Sequence, residues 1–384
     1  MAPAPLPPLP FIDLQAQRRR LGGRIEAAIA GVLAHGRFIL GPEVEELEAA
    51  LAGRVGVGHV VTCANGTDAL LLVLMACGIG PGDAVFVPGF TFVASAEAVA
   101  LAGATPVFVD VEPDSCNLAP ASLRRAVEAL GRAGELRPRA VVAVDLFGRP
   151  ADYDAVRQVA RAHRLFVLQD AAQSFGARWR GEPAGRQGDA AATSFYPAKP
   201  LGAYGDGGAV LTDDGALAEE VRLLRAHGER RGSARYEHLR VGLNSRLDTL
   251  QAAILLAKLD ALDQEIERRA ALAARYDEEL AEFALRPALP AGVRSAWAQY
   301  TIRVGERDWL AAELRARGIP TAVHYPRALH RQPAYRDCPT APDGLPVAEA
   351  LARTVLSLPI HPDLQDDDQA RIIATIRELV GKGA

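Results

Sequence analysis

From about residue 56 onward, short apolar runs rich in β-branched residues alternate with alanine- and leucine-rich stretches of helical spacing, and this alternation constrains the fold more than any other feature of the 384 residues. The strand-like runs are 59–63, 84–87, 106–111, 140–146 and 165–168, and between them 68–77, 94–101, 120–130 and 152–163 carry helical periodicity. Strand and helix in regular turn predict an α/β chain with a mostly parallel sheet covered on both faces. Two more strand-like pieces, 191–195 and 208–212, follow each other without an intervening helix, so part of the sheet is expected to be antiparallel. Residues 246–280 keep apolar residues at helical intervals with no proline or glycine, which predicts one extended helix or a broken pair leaving the first unit. Proline and glycine punctuate 286–292. A strand near 300–304 and helices near 309–317 and 366–380 then predict a smaller C-terminal α/β unit, with 325–346 as a long loop. The expected division is 1–255 and 256–384, with residues 1–10 as a proline-rich, flexible lead-in.

Composition narrows the class of partner. Hydrophobic residues make up 49% of the chain, ample for a large core. Forty-three basic and 47 acidic residues leave a net charge of −4 with no strongly basic block, which argues against a nucleic-acid surface and for small-molecule partners. Cys63, Cys77, Cys116 and Cys338 are far apart and form no CxxC pair, which favours neither a zinc site nor a disulfide framework and suits a reducing cytoplasm. No apolar run reaches the roughly 20 residues of a membrane helix.

Lysine is rare: Lys199, Lys258 and Lys382 are the only three. Lys199 stands among Phe195, Tyr196 and Leu201, where loss of hydration favours the neutral, nucleophilic amine that forms Schiff bases. On its own it also reads as a surface lysine on a loop beside two prolines. Four other segments are ambiguous in the same way. Asn65-Gly66-Thr67-Asp68 joins a strand to a helix and offers N–H groups and positive dipole potential to an anion, or is an ordinary N-cap. Asp170 ends an apolar strand, where open sheets bind ligands, and is either a partner for a buried cation or another cap. Phe92, in Pro88-Gly89-Phe90-Thr91-Phe92, stacks on a flat ligand or fills the core. Asn244-Ser245-Arg246 holds an anion or caps the long helix. His227, His324 and His330 lie at no metal-ligand spacing, and no metal is expected.

Taken in order, Asn65 to Leu70, Pro88 to Phe92, Asp170-Ala171-Ala172-Gln173, Ser194 to Lys199, Gly205-Asp206-Gly207-Gly208 and Asn244-Ser245-Arg246 resemble the DegT/DnrJ/EryC1/StrS family of sugar aminotransferases. The resemblance runs from about Phe11 to the C-terminus. It implies a pyridoxal 5'-phosphate enzyme of the aspartate aminotransferase fold (fold type I), working in the cytoplasm as a homodimer with sites at the subunit interface. By the same resemblance Lys199 would carry the cofactor and shuttle the proton, Asp170 would pair with the pyridinium nitrogen and Gln173 would contact the phenolic oxygen. Phe92 would stack on the ring. Gly66, Thr67 and Ser194 would hold the phosphate, with Asn244 reaching in from a neighbouring subunit. Pro200 departs from the commoner pattern, in which asparagine follows the lysine.

Within the family, Phe11-Ile12-Asp13-Leu14, Leu40-Gly41-Pro42-Glu43-Val44 and Lys199-Pro200-Leu201-Gly202 look most like enzymes that aminate C3 of a UDP-linked 2-acetamido-3-keto-hexuronic acid, with L-glutamate as donor, for surface polysaccharide such as the O-antigen of lipopolysaccharide. His227, Arg246, His324 and Tyr325 are then the expected sugar-binding residues. A guanidinium fork matches a uronate carboxylate, which gives Arg246 a physical reason to be there. The alternatives are amination of another 3-keto or 4-keto nucleotide sugar, a family dehydratase, which lysine rather than histidine at 199 argues against, and a regulatory relative that binds the cofactor without transferring an amino group.

Overall fold

The computed structural model describes residues 7–229, 236–284 and 289–381. Three helices precede the sheet: α1 (Leu14–Leu21), α2 (Gly23–His35) and α3 (Pro42–Val55). Strand and helix then alternate as expected through β1 (His59–Cys63), α4 (Gly66–Ala76), β2 (Asp83–Pro88), α5 (Ala94–Leu101), β3 (Thr105–Val109), α6 (Pro120–Ala133), β4 (Arg137–Val144), α7 (Tyr153–His163) and β5 (Phe166–Asp170). Short strands β6 (Arg178–Trp179) and β7 (Glu182–Pro183) lead to β8 (Ala190–Ser194), β9 (Gly208–Thr212) and α8 (Gly215–Leu224). The helices start where a side chain or proline permits. Asn65 and Asp152 accept from the N–H groups of Asp68 and Ala155, and Pro42 and Pro120 occupy first-turn positions.

The seven-stranded sheet has the order β1-β9-β8-β5-β4-β2-β3. Neighbouring pairs from β8 through β5, β4 and β2 to β3 are parallel, whereas β9 runs antiparallel to both β1 and β8. One reversed strand makes the sheet mixed, as the missing helix between 195 and 208 predicts. Right-handed crossovers place α4 and α5 on one face and α6 and α7 on the other, and α3 packs with α9 (Thr249–Leu259) around Leu47, Leu51 and Leu255. Because β9 is inverted, its start and the ends of β1, β2, β4, β5 and β8 meet at one edge of the sheet.

The 246–280 stretch is a broken pair: α9 ends at Leu259 and α10 (Leu262–Glu279) begins after Asp260 and Ala261. Along α10 the core changes hands. Leu262 and Ile266 pack under the sheet, while Leu272, Ala273 and Tyr276 join the core of the small unit. β10 (Val293–Arg294) first pairs antiparallel with β6 of the large unit, and the small unit then contains β11 (Tyr300–Arg303), α11 (Arg307–Ala316), α12 (Pro346–Thr354), β12 (Val355–Leu358) and α13 (Asp366–Gly381), with β11 and β12 paired antiparallel. The long 325–346 connection folds back onto the large core through Leu329, Tyr335 and Leu345, followed by Leu351 of α12. Residues 1–6 of the proline-rich lead-in and 286–288 of the punctuated stretch lie outside the described residues. Beyond them, Leu9 N donates to Gly318 O at 2.9 Å and Pro7 O accepts from Arg371 at 3.0 Å, which ties residues 7–10 to the small unit. Among the described residues no helix is long and apolar enough to cross a membrane.

Candidate active site

Every turn leaving the shared edge of the sheet contributes. Asp170, the last residue of β5, is buried. Its Oδ2 accepts from Ser95 Oγ at 2.9 Å and its Oδ1 from Ala172 N at 3.1 Å. Burial raises its pKa above the ordinary value, while these two hydrogen bonds and the nearby Lys199 amine pull it back down. Lys199 sits in the turn after β8, anchored by its own N–H to Tyr196 O at 2.8 Å. Loss of water holds its amine below the ordinary lysine range, opposed by the charge of Asp170. The two feel each other without closing to an ion pair. Lys258 is also buried but donates to the carbonyl of Gly202 and lies over the Tyr204 ring, so its amine is occupied by the fold. Lys382 lies outside the described residues.

Gln173 lies one turn beyond Asp170 and is buried. It accepts from Phe147 N at 2.6 Å and donates to the Tyr325 hydroxyl at 3.3 Å. The Tyr325 ring lies 5.9 Å from that of Phe92, which is half exposed. His324 is joined to Tyr325 by a cis peptide and is bonded through Nδ1 to Ser357 Oγ at 2.8 Å. Burial, with Lys199 nearby, brings its pKa down to about 4. Lys199, Asp170, Gln173, Phe92, His324 and Tyr325 therefore form one group, the last two brought by the small unit to the edge of the large one.

At the other side of this edge α4 begins. The N–H groups of Gly66 and Thr67 belong to a first helical turn, which has no internal acceptor for them. A Cβ on Gly66 would come within 2.7 Å of Ser194 Cβ, and one on Gly208 within 2.4 Å of the Asn65 carbonyl carbon, so glycine is required for this close approach. Ser194 Oγ accepts from Tyr196 N at 3.3 Å and faces this turn. Ser245 ties the 244–246 segment here, accepting from Ala64 N at 3.2 Å. Asn244 is exposed and accepts from Arg246 Nη2 at 2.6 Å. His227 is also exposed. Among the described residues its backbone bonds to Leu243 and His238, and no hydrogen bond joins it to the Lys199 group.

These residues fit pyridoxal phosphate. A buried carboxylate with acceptor capacity left, an amine whose pKa burial lowers, an aromatic face and a helix N-terminus with free N–H groups converge on one edge. Ser95, Ser245 and Ser357 were not anticipated. Hydroxyls on a helix, a loop and a strand carry no periodic or spacing signal, and only the fold shows what they touch.

Residues 20–377 match the DegT/DnrJ/EryC1/StrS aminotransferase family. The chain is 49% identical over 355 residues to the UDP-2-acetamido-2-deoxy-3-oxo-D-glucuronate aminotransferase of Pseudomonas aeruginosa, covering 92% of this chain and 95% of that protein. A DegT DnrJ EryC1 StrS aminotransferase from Brucella abortus superposes with a TM-score of 0.95 at 52% identity, over 97% of this chain and 100% of that one. The structure of ntda from Bacillus subtilis with bound cofactor PMP superposes at 0.87 with 27% identity, over 99% and 87%.

Proposed function

The chain belongs to the DegT/DnrJ/EryC1/StrS aminotransferase family, whose fold and pyridoxal-phosphate dependence it shares, and from that premise we propose that it moves an amino group from L-glutamate to C3 of a UDP-linked 2-acetamido-2-deoxy-3-keto-hexuronic acid. The amino sugar would serve surface polysaccharide such as O-antigen, and the other product is 2-oxoglutarate. The observation that carries the reading is the meeting at one sheet edge of Lys199, buried Asp170 and Gln173 with the glycine-lined start of α4 and with Tyr325 of the small unit.

When bound, pyridoxal phosphate supplies an electrophilic carbon and an electron-withdrawing ring. The chain supplies the rest. Asp170, fixed by Ser95 and Ala172, keeps acceptor positions for the N–H of the ring nitrogen, and Gln173 faces the phenolic oxygen. Gly66, Thr67 and Ser194 receive the phosphate at the start of α4, with Asn244 contributed by a neighbouring copy. Lys199, neutral in a fraction that burial enlarges, takes a proton from the donor's α-carbon and later returns one to the sugar. Arg246 pairs with the uronate carboxylate, while His324, Tyr325 and His227 contact the sugar. Homodimerisation would place Asn244, exposed in one copy, at its neighbour's phosphate site. Four free thiols suit a cytoplasmic enzyme.

Half-reactions test the reading. Glutamate should convert the purified enzyme's pyridoxal absorbance to that of the pyridoxamine form. The converted enzyme should then aminate the UDP-linked 3-keto uronate faster than 4-keto sugars or sugars lacking the carboxylate. Preference for a 4-keto sugar would overturn the substrate assignment, and no spectral response to glutamate would overturn the choice of donor.

A further inference from the structure

Two hydroxyls to which the proposed chemistry gives no role connect the small unit to the site. Thr301 on β11 and Ser357 on β12 face each other in register, their Oγ atoms 2.8 Å apart, and Ser357 Oγ also lies 2.8 Å from His324 Nδ1. Ser357 is wholly buried and Thr301 is 6% exposed. The Ser357 backbone is held on its other side as well. It exchanges hydrogen bonds of 2.7 and 3.1 Å with Ala322, two residues before His324, so hydroxyl and imidazole are positioned by the same short stretch of sheet.

Counting hydrogens gives this chain a direction. Among the described residues Ser357 is the one hydrogen-bond partner of the Thr301 hydroxyl. A Thr301 hydrogen pointed elsewhere would be left unpaired at a nearly closed position, which buried donors seldom tolerate. Ser357 Oγ therefore accepts from Thr301, and its own hydrogen, which would otherwise be unpaired at a wholly buried position, goes to His324 Nδ1. An imidazole that accepts at Nδ1 carries its proton at Nε2. We infer that Ser357 is a positioning residue that locks His324 in the Nε2–H tautomer and so presents a fixed hydrogen-bond donor to an oxygen of the sugar substrate beside Lys199.

With its pKa near 4, the ring stays neutral at working pH, so the tautomer is the choice left to make. It also adds no second positive charge beside the amine. The tautomer rests on the hydrogen bonds alone, and its use by the sugar rests on the proposed function.

The test separates the two. Full-length protein labelled with 15N at histidine, without substrate, is examined by long-range 1H–15N correlation at neutral pH, with His324→Gln identifying the resonances. We expect a protonated Nε2 and a bare Nδ1 in the wild type, mixed tautomers in Ser357→Ala and the wild-type pattern again in Ser357→Thr. Thr301→Val should leave the tautomer as it is, because the Ser357 hydrogen already points at His324. A protonated Nδ1 in the wild type, or a tautomer that flips in Thr301→Val, overturns the inference. In half-reactions Ser357→Ala should raise KM for the keto sugar by about threefold to tenfold, the scale of one hydrogen bond. The rise should exceed any change for glutamate, and Ser357→Thr should reverse it. Equal rises for both substrates would overturn the positioning role. Failure of the wild type to aminate the keto sugar would instead strike the proposed function and leave the tautomer result standing.

Discussion

Asp145 and Asp170 follow neighbouring parallel strands, and the N–H of the first donates to the carbonyl of the second at 3.0 Å. Both carboxylates are buried, yet the chain completes only one of them. Asp145 accepts from Ala151 N at 3.0 Å and Tyr153 OH at 2.7 Å on one oxygen, and from Gln169 Nε2 at 2.7 Å and Ser174 Oγ at 2.6 Å on the other. An ionised carboxylate has about four acceptor positions, so this one is full. Asp170 has Ser95 and Ala172 and no more among the described residues, with Lys199 nearby. The full carboxylate pins the β4, β5 and α7 connections together. The half-filled one is costly to leave as it is and is matched to a ligand carrying its own N–H. Burial alone does not mark a functional acid here; unused acceptor capacity does.

The largest effects test the open side of this comparison. Lys199→Ala should reduce transamination by at least about 100- to 10,000-fold while the thermal unfolding transition stays near that of the wild type. Normal turnover would remove Lys199 from the chemistry. Asp170→Asn should lower turnover on the order of 100-fold or more, with stability kept, because it discharges a buried group. Asp145→Asn should do the reverse. Its amide nitrogen faces donors, so we expect a loss of about 1 to 3 kcal/mol in denaturant unfolding and near-normal turnover per folded molecule. If the two variants exchanged phenotypes, the comparison would be broken.

Arg246 sharpens it from the substrate side. Among the described residues its guanidinium is held only by exposed Asn244, so it too keeps capacity for a ligand. Arg246→Ala should cost roughly ten- to hundredfold in kcat/KM for the keto sugar, the scale of a charge-assisted pair, and much less in the glutamate half-reaction. Equal loss in both would count against a carboxylate contact.

Asp145 also shows how far the sequence could be read. Both aspartates end apolar strands, and apart from the family resemblance of Asp170-Ala171-Ala172-Gln173 nothing along the chain tells the filled one from the open one. The distinction depends on Ser174, Tyr153, Gln169 and Ser95, brought together only by the fold. The strands of the sheet were legible because their runs are apolar throughout, as burial on two faces demands. The reversed strand was legible too, since no helix separates 195 from 208. Helices α1 to α3 escaped notice. α1 buries a single residue and α2 only Ile25 and Val32, so their patterns are weak, whereas α3 buries Val44, Leu47, Leu51 and Val55 at helical spacing and was legible all the same. The break between α9 and α10 carries no proline or glycine to announce it, and α12 and β12 sit behind a loop that reads as irregular. His324 stood out as a residue type, but its hydrogen-bond donor had no sequence signature at all.

The smallest effect expected is on the pH dependence of stability, and it tests whether filling a carboxylate's acceptor positions is enough to keep it charged. Burial pushes Asp145 up to about 6 in spite of its four hydrogen bonds. A carboxyl whose folded-state pKa lies above its unfolded value contributes stability that is full below about pH 4 and lost as pH rises through about 6. Buried His324 and His361 are both lowered to about 4 from an ordinary 6.5, so their contribution is present above pH 6.5 and lost as pH falls toward 4. The slopes oppose each other in one window, the two histidines on one side and Asp145, with Asp170 and Glu112 also raised by burial, on the other. Asp145→Asn removes one of the opposing contributions and leaves the others, so its Tm should fall more steeply than that of the wild type as pH drops across this window, by a few degrees beyond its deficit at neutral pH. Parallel Tm curves would mean that four donors hold the Asp145 charge against burial. An occupied nest would then stabilise an anion as well as bulk water does, and the half-filled state of Asp170 would no longer explain why it needs a ligand.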